Sequence, residues 1–304
     1  ASGDRNAVPQ YLGDLDARTL QWELMSSSLA ANEYARVESL LVVQAGRGDY
    51  RDDVTRALRE LWVAGRIAQV EDILRRYDGS RARDEQRAAM HYGIGELNTR
   101  AGRDSVARRH LLQATVLAGR DSVVRRESNA RLILLGLGVA RTTREADSIF
   151  ARLDSATRAT FYARRVQEHY LLVNLLEQRS DPTGASLYLA AEVARDSLRA
   201  RRLAETLFLR VAREVIASPL VPNAYYAASL LSPDSAQYWV ERVRTEFPNS
   251  SVAAFLRGDD PASRPDFVSS PELLRFSWTE AARVWADSVR KLRAPQRANT
   301  NVRK

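Results

Sequence analysis

The residues best suited to proton transfer or metal ligation are three histidines, His91, His110 and His169. Their spacing forms no local metal motif, and no His-Glu-x-x-His segment or Gly-x-Ser-x-Gly nucleophile elbow occurs. On packed helices they read as core-edge or surface residues. Cysteine is absent, which excludes disulfides, thiolate metal sites, iron–sulfur clusters and a cysteine nucleophile. Gly93-x-Gly95 and Gly136-x-Gly138 lack the third glycine of a dinucleotide loop, and no Gly-Lys-Ser/Thr phosphate loop exists. Glu96, Glu168 and Glu205 are acids that only a fold could bring together for general acid–base work. Arg47-Gly48-Asp49 matches an adhesion tripeptide that chance supplies in an Arg-rich chain. The expectation is a chain with no catalytic residue, no cofactor and no metal.

Charge offers a second kind of chemistry. The 46 basic and 38 acidic residues give a formal net charge of +8. Among the basic residues only Lys291 and Lys304 are lysine, a bias that a GC-rich bacterial genome produces without selection for phosphate. The pairs Arg75-Arg76, Arg108-Arg109, Arg125-Arg126, Arg164-Arg165 and Arg201-Arg202 fall in helical stretches. Glu71, Asp72, Glu127, Glu168 and Glu205 stand within four residues of one pair or another. Such mixing reads as a solvated face with i,i+4 support, not as the purely basic stripe that nucleic acid requires.

The elements that carry these residues read as helices. Ala, Leu, Arg and Glu dominate, and β-branched runs are rare. Periodicity is nearly continuous over residues 14–258, with breaks at Gly46-Arg47-Gly48, Asp78-Gly79-Ser80, Gly102, Gly119, Ser180-Asp181-Pro182, Ser218-Pro219 and Ser232-Pro233. Asp-Ser recurs at Asp104, Asp121, Asp147, Asp154, Asp196, Asp234 and Asp287, and predicts helix starts capped by aspartate. Ala107, Leu111, Ala114 and Ala118 form one apolar stripe, with Leu112 and Val116 in a second stripe beside it. That pattern predicts a helix covered on two sides.

The chain also repeats itself. Ala101-Gly102-Arg103-Asp104-Ser105-Val106 returns as Ala118-Gly119-Arg120-Asp121-Ser122-Val123, half of a 34-residue unit away. Around it, His91, Ile94-Gly95, Asn98, Gly102, Ala107, Leu111 and Ala114 follow the spacing of one helix pair. Gly95, Ala107 and Ala114 are the small residues through which two helices can approach. These residues resemble a tetratricopeptide repeat, with His91 for the large anchor, Asn98 for the aromatic and Gly119 for the closing proline. Weaker echoes surround Gly65 and Thr142, run through Leu172–Leu189, and end at Ala236–Pro248. The turn Phe247-Pro248-Asn249-Ser250-Ser251 is similar to inter-repeat turns of outer-membrane assembly lipoproteins of this class. The resemblance implies an all-α, TPR-like α-solenoid of antiparallel helix pairs, with a C-terminal capping helix and extended termini.

The organisation expected is an N-terminal arm (1–13), a helical-repeat domain (14–258), then a linker, C-terminal helix and basic tail (259–304). Ser270-Pro271 opens the last helix. Its stripe, Leu274, Trp278, Ala281, Trp285 and Leu292, reads either as a lid on the repeats or as an aromatic anchor for a partner. Trp278, Trp285, Lys291, Arg293 and Arg297 are the candidate partner-binding residues. No run of about 18 apolar residues is present. The small-residue start, Ala1-Ser2-Gly3, reads as either a trimmed chain or the product of signal-peptide removal. The function expected is a non-catalytic scaffold: an exported, periplasmic accessory subunit held by protein contacts on a larger membrane complex, either an outer-membrane assembly machine or a bioenergetic or photosynthetic one. The alternatives are a cytoplasmic repeat protein bound to nucleic acid or a transcription complex, and an enzyme with a site in a concave groove.

Overall fold

A computed structural model describes residues 17–120 and 122–293. The arm read at residues 1–13, and Arg297 with the rest of the tail beyond Arg293, lie outside the described residues. The fold is all-α: sixteen α-helices and no strand occur among the described residues. Backbone contacts divide the chain into two units, with the boundary between Leu132 and Ile133. That boundary falls inside the stretch read from sequence as one repeat domain.

The first unit holds α1 (Ala17–Ala30), α2 (Tyr34–Arg47), α3 (Asp52–Val63), α4 (Ile67–Asp78), α5 (Asp84–Arg100), α6 (Asp104–Leu117) and most of α7 (Val123–Leu134). Neighbouring helices pack as antiparallel pairs, α5 on α6 most extensively. Met25, Leu41, Leu58, Leu61, Leu74 and Tyr77 are fully enclosed in its core. The predicted breaks at Gly48, Gly79, Gly102 and Gly119 all separate helices. Gly102 adopts φ +71°, a left-handed turn that few other residues tolerate, and so ends α5 within one short connection.

α5 is buried on almost every face, with ten residues buried between Ala88 and Thr99. α3, α4 and α6 all pack on it. Its approach to α6 leaves no clearance: a Cβ built on Gly95 would stand 2.8 Å from Leu111 Cγ and 2.9 Å from Leu111 Cδ2. Ala107 and Ala114 on α6 are also fully buried. The small residues singled out from sequence are thus the ones at the closest approach.

A helix enclosed this way must satisfy its polar groups internally. Asn98 Nδ2 donates to Ile94 O at 2.9 Å and Thr99 Oγ1 to Gly95 O at 2.8 Å. Glu96 accepts from Arg59 of α3 at 2.9 Å, from Arg100 at 2.9 Å and from Arg131 of α7 at 2.8 Å. Arg131, itself buried, also lies over the Tyr92 ring at 5.5 Å.

The second unit follows a short 3₁₀ turn (Leu135–Val139) with α8 (Thr143–Phe150), α9 (Ser155–Arg158), α10 (Phe161–Glu177), α11 (Ala185–Asp196), α12 (Arg201–Glu214), α13 (Val221–Leu231), α14 (Ala236–Glu246), α15 (Ser251–Arg257) and α16 (Asp266–Arg293). α10 to α14 pack each on the next. Tyr188 of α11 meets Phe208 of α12 edge-on at 5.0 Å, and Tyr225 of α13 stacks on Trp239 of α14 at 5.5 Å. α16 starts at Asp266, so Pro271 stands inside the helix and not at its first turn.

Two sequence expectations change here. Among the described Asp-Ser aspartates, Asp154 caps a helix, accepting from Thr157 N at 2.7 Å. Asp104 stands in the first turn of α6 without a cap bond, and Asp147 lies inside α8, where it accepts from the Tyr170 hydroxyl at 2.8 Å. A helix dipole accepts an acid anywhere in its first turn, so Asp near a start need not be the cap. The second stripe of α6 is not covered: Leu112 is 50% and Val116 76% exposed. α6 turns its other face to α5, and that face is deep because small residues line it.

Gly95→Ala should cost about 1–3 kcal/mol, the usual penalty for overfilling a packed core. Gly46→Ala, with nothing within 4 Å of the new carbon, should be neutral or stabilising by up to roughly 1 kcal/mol. Urea unfolding of the two variants compares them directly. Glu96→Ala removes the carboxylate that the buried Arg131 guanidinium donates to and should cost about 3 kcal/mol, against a much smaller loss for Arg100→Ala at the exposed end of the same cluster.

Candidate functional site

Three constellations hold the polar and aromatic side chains from which a function can be argued. The first is in the second unit, where α16 lies on α10 and α11. Ser277, Ala281 and Val289 are buried on its inner face, and Trp285 is half-buried between them. The small Ser277 and Ala281 let α16 lie close to its neighbours. Trp285 Nε1 donates to Glu168 O at 2.8 Å, and Arg293 grips the Glu168 carboxylate through Nε at 2.6 Å and Nη2 at 2.7 Å. Glu280 pairs with Arg179, and Ser277 Oγ reaches Asp181 Oδ2 at 3.4 Å. His169 packs 6.3 Å from the Trp285 ring and directs Nδ1 to Arg165 O at 2.8 Å.

The Arg293 fork holds the Glu168 carboxyl below the usual glutamate range, against burial, which pushes it up. Asp181 is drawn upward by burial, but bonds from Thr183 and Ser186 at the start of α11 outweigh this and hold it low.

The candidate residues therefore separate. Trp285 Nε1 and the Nε and Nη2 of Arg293 bond within the chain, while the Arg293 side chain stays 62% exposed. Trp278 is 41% exposed and Lys291 is exposed as well. The inner face is rotated from the sequence stripe, because Ser277 takes the place expected of Trp278.

The second constellation is a groove of about 400 Å³ on the same unit. Tyr188 comes from α11, Tyr226 and Leu230 from α13, Phe255 from α15 and Phe267 from the first turn of α16. Leu230, Phe255 and Phe267 are 59%, 54% and 44% exposed, so the walls are apolar and open to solvent. Asn223, Arg195 and Ser251 are among the polar residues that line it. Asn223 Oδ1 is buried without a hydrogen-bond partner. Arg195 is held by Asp196 at 2.7 and 2.8 Å and approaches Glu192 at 3.7 Å. Such a groove can enclose apolar side chains and offer one acceptor to a donor they carry. Sequence reading missed it, because the residues come from four helices and fall on no shared stripe.

The third constellation is in the first unit. His91 of α5 and His110 of α6 are 5% and 2% exposed. Their Nδ1 atoms are 3.0 Å apart. His91 Nε2 lies 3.0 Å from Asp78 Oδ1, and His110 Nε2 lies 2.8 Å from Glu71 Oε1. The ring centroids are 5.3 Å apart at an interplanar angle of 29°. That separation exceeds the N···N distance by little more than the two ring radii, so the rings meet end to end rather than face to face. His110 holds the Glu71 carboxyl below its ordinary value, while burial brings His91 below the usual histidine range despite Asp78. Both histidines were read as core-edge or surface residues, and both are buried. The missed signal is their near-mirror placement about the Gly102 turn, which sets them side by side in a helix pair.

Among the described residues, no group of three or more His, Asp or Glu side chains is placed to hold a metal ion, and no helix is long and apolar enough to cross a membrane. Glu96, Glu168 and Glu205 each have their own partners: Glu96 three arginines, Glu168 Arg293, and Glu205 Arg202 with the Ser232 hydroxyl. Comparison with protein-family models, curated proteins and solved structures finds no match.

The Glu168 pKa gives the C-terminal helix a pH dependence of known sign. A lowered folded value means the fork contributes fully above the ordinary glutamate value of about 4.3 and is lost as pH falls through the lower folded value. The Trp285 indole N–H resonance, assigned with Trp285→Phe, should hold its shift from pH 7 to about 5 and move towards the free-indole position below about pH 4. Glu168→Gln should weaken the Arg293 fork and move that resonance towards the free-indole position already at pH 7.

Proposed function

We propose that this chain is a non-catalytic scaffold that holds an apolar segment of a partner protein in the groove between α11, α13, α15 and the start of α16. The observation that carries the reading is the gathering of Leu230, Phe255 and Phe267 on one open concavity. Single exposed apolar residues are ordinary, but a contiguous set costs solvation unless something covers it. The walls are aromatic, which favours a segment bearing aromatic or branched side chains, and Asn223 can accept a hydrogen bond from it.

The helix pairs, on this reading, are tetratricopeptide-like repeats. The close seam at Gly95, Ala107 and Ala114 and the left-handed turn at Gly102 support that finer assignment. The partner belongs to a larger membrane-bound complex on the extracytoplasmic side, to which this chain attaches as an accessory subunit. The lack of any cysteine suits an oxidising compartment.

Blue-native separation of gently solubilised membranes, with the chain detected by antibody, tests the reading. Co-migration with other subunits is expected, and Phe255→Asp should release the chain from them while the free chain keeps its helical spectrum. Migration of the wild-type chain alone, at the size of a monomer, would overturn the proposal.

A further inference from the structure

The end-to-end histidine pair poses a question of proton count. Each Nε2 lies against a carboxylate, Asp78 for His91 and Glu71 for His110, and each is best placed to donate. Two neutral rings arranged this way would turn both Nδ1 lone pairs towards each other across 3.0 Å. Two buried acceptors at that distance repel, and neither has water to turn to.

We propose that His91 and His110 together form a buried binding site for a single proton, shared between their Nδ1 atoms. Three protons then occupy four ring nitrogens, and all three contacts become hydrogen bonds. The chain Asp78–His91–His110–Glu71 ties α4, α5 and α6 together.

The surrounding charges support this count. α4 contributes Glu71 and Asp78. α6 contributes Arg109, whose Nη2 is 2.9 Å from Glu71 Oε1 and 3.4 Å from His110 Nε2. On α5, Arg87 donates to Asp78 O at 2.8 Å and pairs with Asp84, so that pair is balanced by itself. From α3 the basic side chain that reaches α5 is Arg59, which is committed to Glu96. Two carboxylates against Arg109 leave one negative charge, and the shared proton cancels it. Glu71 does not carry that proton, because His110 and Arg109 hold its carboxyl ionised.

Emptying the site changes the contacts. With two protons left, one ring must turn its only N–H inward to the other Nδ1. Its Nε2 lone pair then faces its carboxylate, and the link to Glu71 or to Asp78 opens. Burial of His91 opposes the proton while Asp78 and Glu71 favour it, and burial prevails. The titration belongs to the pair and has one apparent midpoint.

Long-range ¹⁵N–¹H NMR of the ring nitrogens in the folded full-length chain tests the proposal between pH 4.5 and 8. All four nitrogens of His91 and His110 should move in one shared transition. In the filled state a scalar coupling should connect the two Nδ1 nuclei through the hydrogen bond. His110→Asn keeps an N–H donor for His91 Nδ1 but removes the second imidazole. In that variant the His91 transition should fall by at least about one pH unit, a tenfold loss of proton affinity. Separate midpoints for the two rings, no coupling at any pH, or an unmoved His91 midpoint in a folded His110→Asn chain would overturn the proposal. If that variant does not fold, the shared transition and the coupling in the wild-type chain decide the matter.

Discussion

The first unit depends on the absence of space between Gly95 and Leu111. Because α5 and α6 touch there through a bare backbone, the face of α5 turned to α6 lies too deep for water. Most polar groups on that helix then find a partner within the protein, with Asn98 Oδ1 left as a buried acceptor without one. Asn98 and Thr99 turn back onto their own helix, and Glu96 collects guanidinium groups from α3, α5 and α7. His91 meets His110 for the same reason. The close seam encloses the polar network, and the His91–His110 contact in turn helps to fix the register of the seam, since a shift of α5 against α6 by one residue would separate that pair.

The second unit uses the same physics at its surface. α16 has few large apolar residues on its inner face, and its hold on α10 and α11 comes from specific hydrogen bonds at spaced points. Asp181 organises the start of α11 and touches Ser277, while Glu168 receives Arg293, with Trp285 bonded to its carbonyl. Charge-assisted forks of this kind are geometrically exacting, which gives α16 a defined place with little apolar burial. Leu230, Phe255 and Phe267 stay exposed in the groove, so the unit carries an open apolar concavity beside an anchor built mainly from polar contacts.

Much of this was legible in the sequence. The all-α class, the helix breaks at glycine and proline, and the small residues of the α5–α6 seam follow from periodicity and steric size. What escaped was whatever depends on the rotation of a helix about its axis. The α16 stripe was read through Trp278, yet the inner face passes through Ser277, because a small residue can approach where an indole cannot. Leu112 and Val116 promised a second covered face on α6, and they are exposed. The histidine pair and the groove were invisible for a related reason: their members lie on different helices, and single-sequence patterns do not relate such positions. Aspartate near a helix start was over-read as a cap, since the dipole rewards an acid at several positions in the first turn.

Native-state hydrogen exchange of the α5 amides tests the central claim most directly, namely that the enclosed α5–α6 seam holds the first unit together. The account predicts that amides from Ile94 to Thr99 exchange only through unfolding of the whole unit, with the same free energy and denaturant dependence as that unfolding, while α1 and the ends of α2 exchange through smaller openings. Exchange of the α5 amides through local opening, at rates like those of α1, would contradict it.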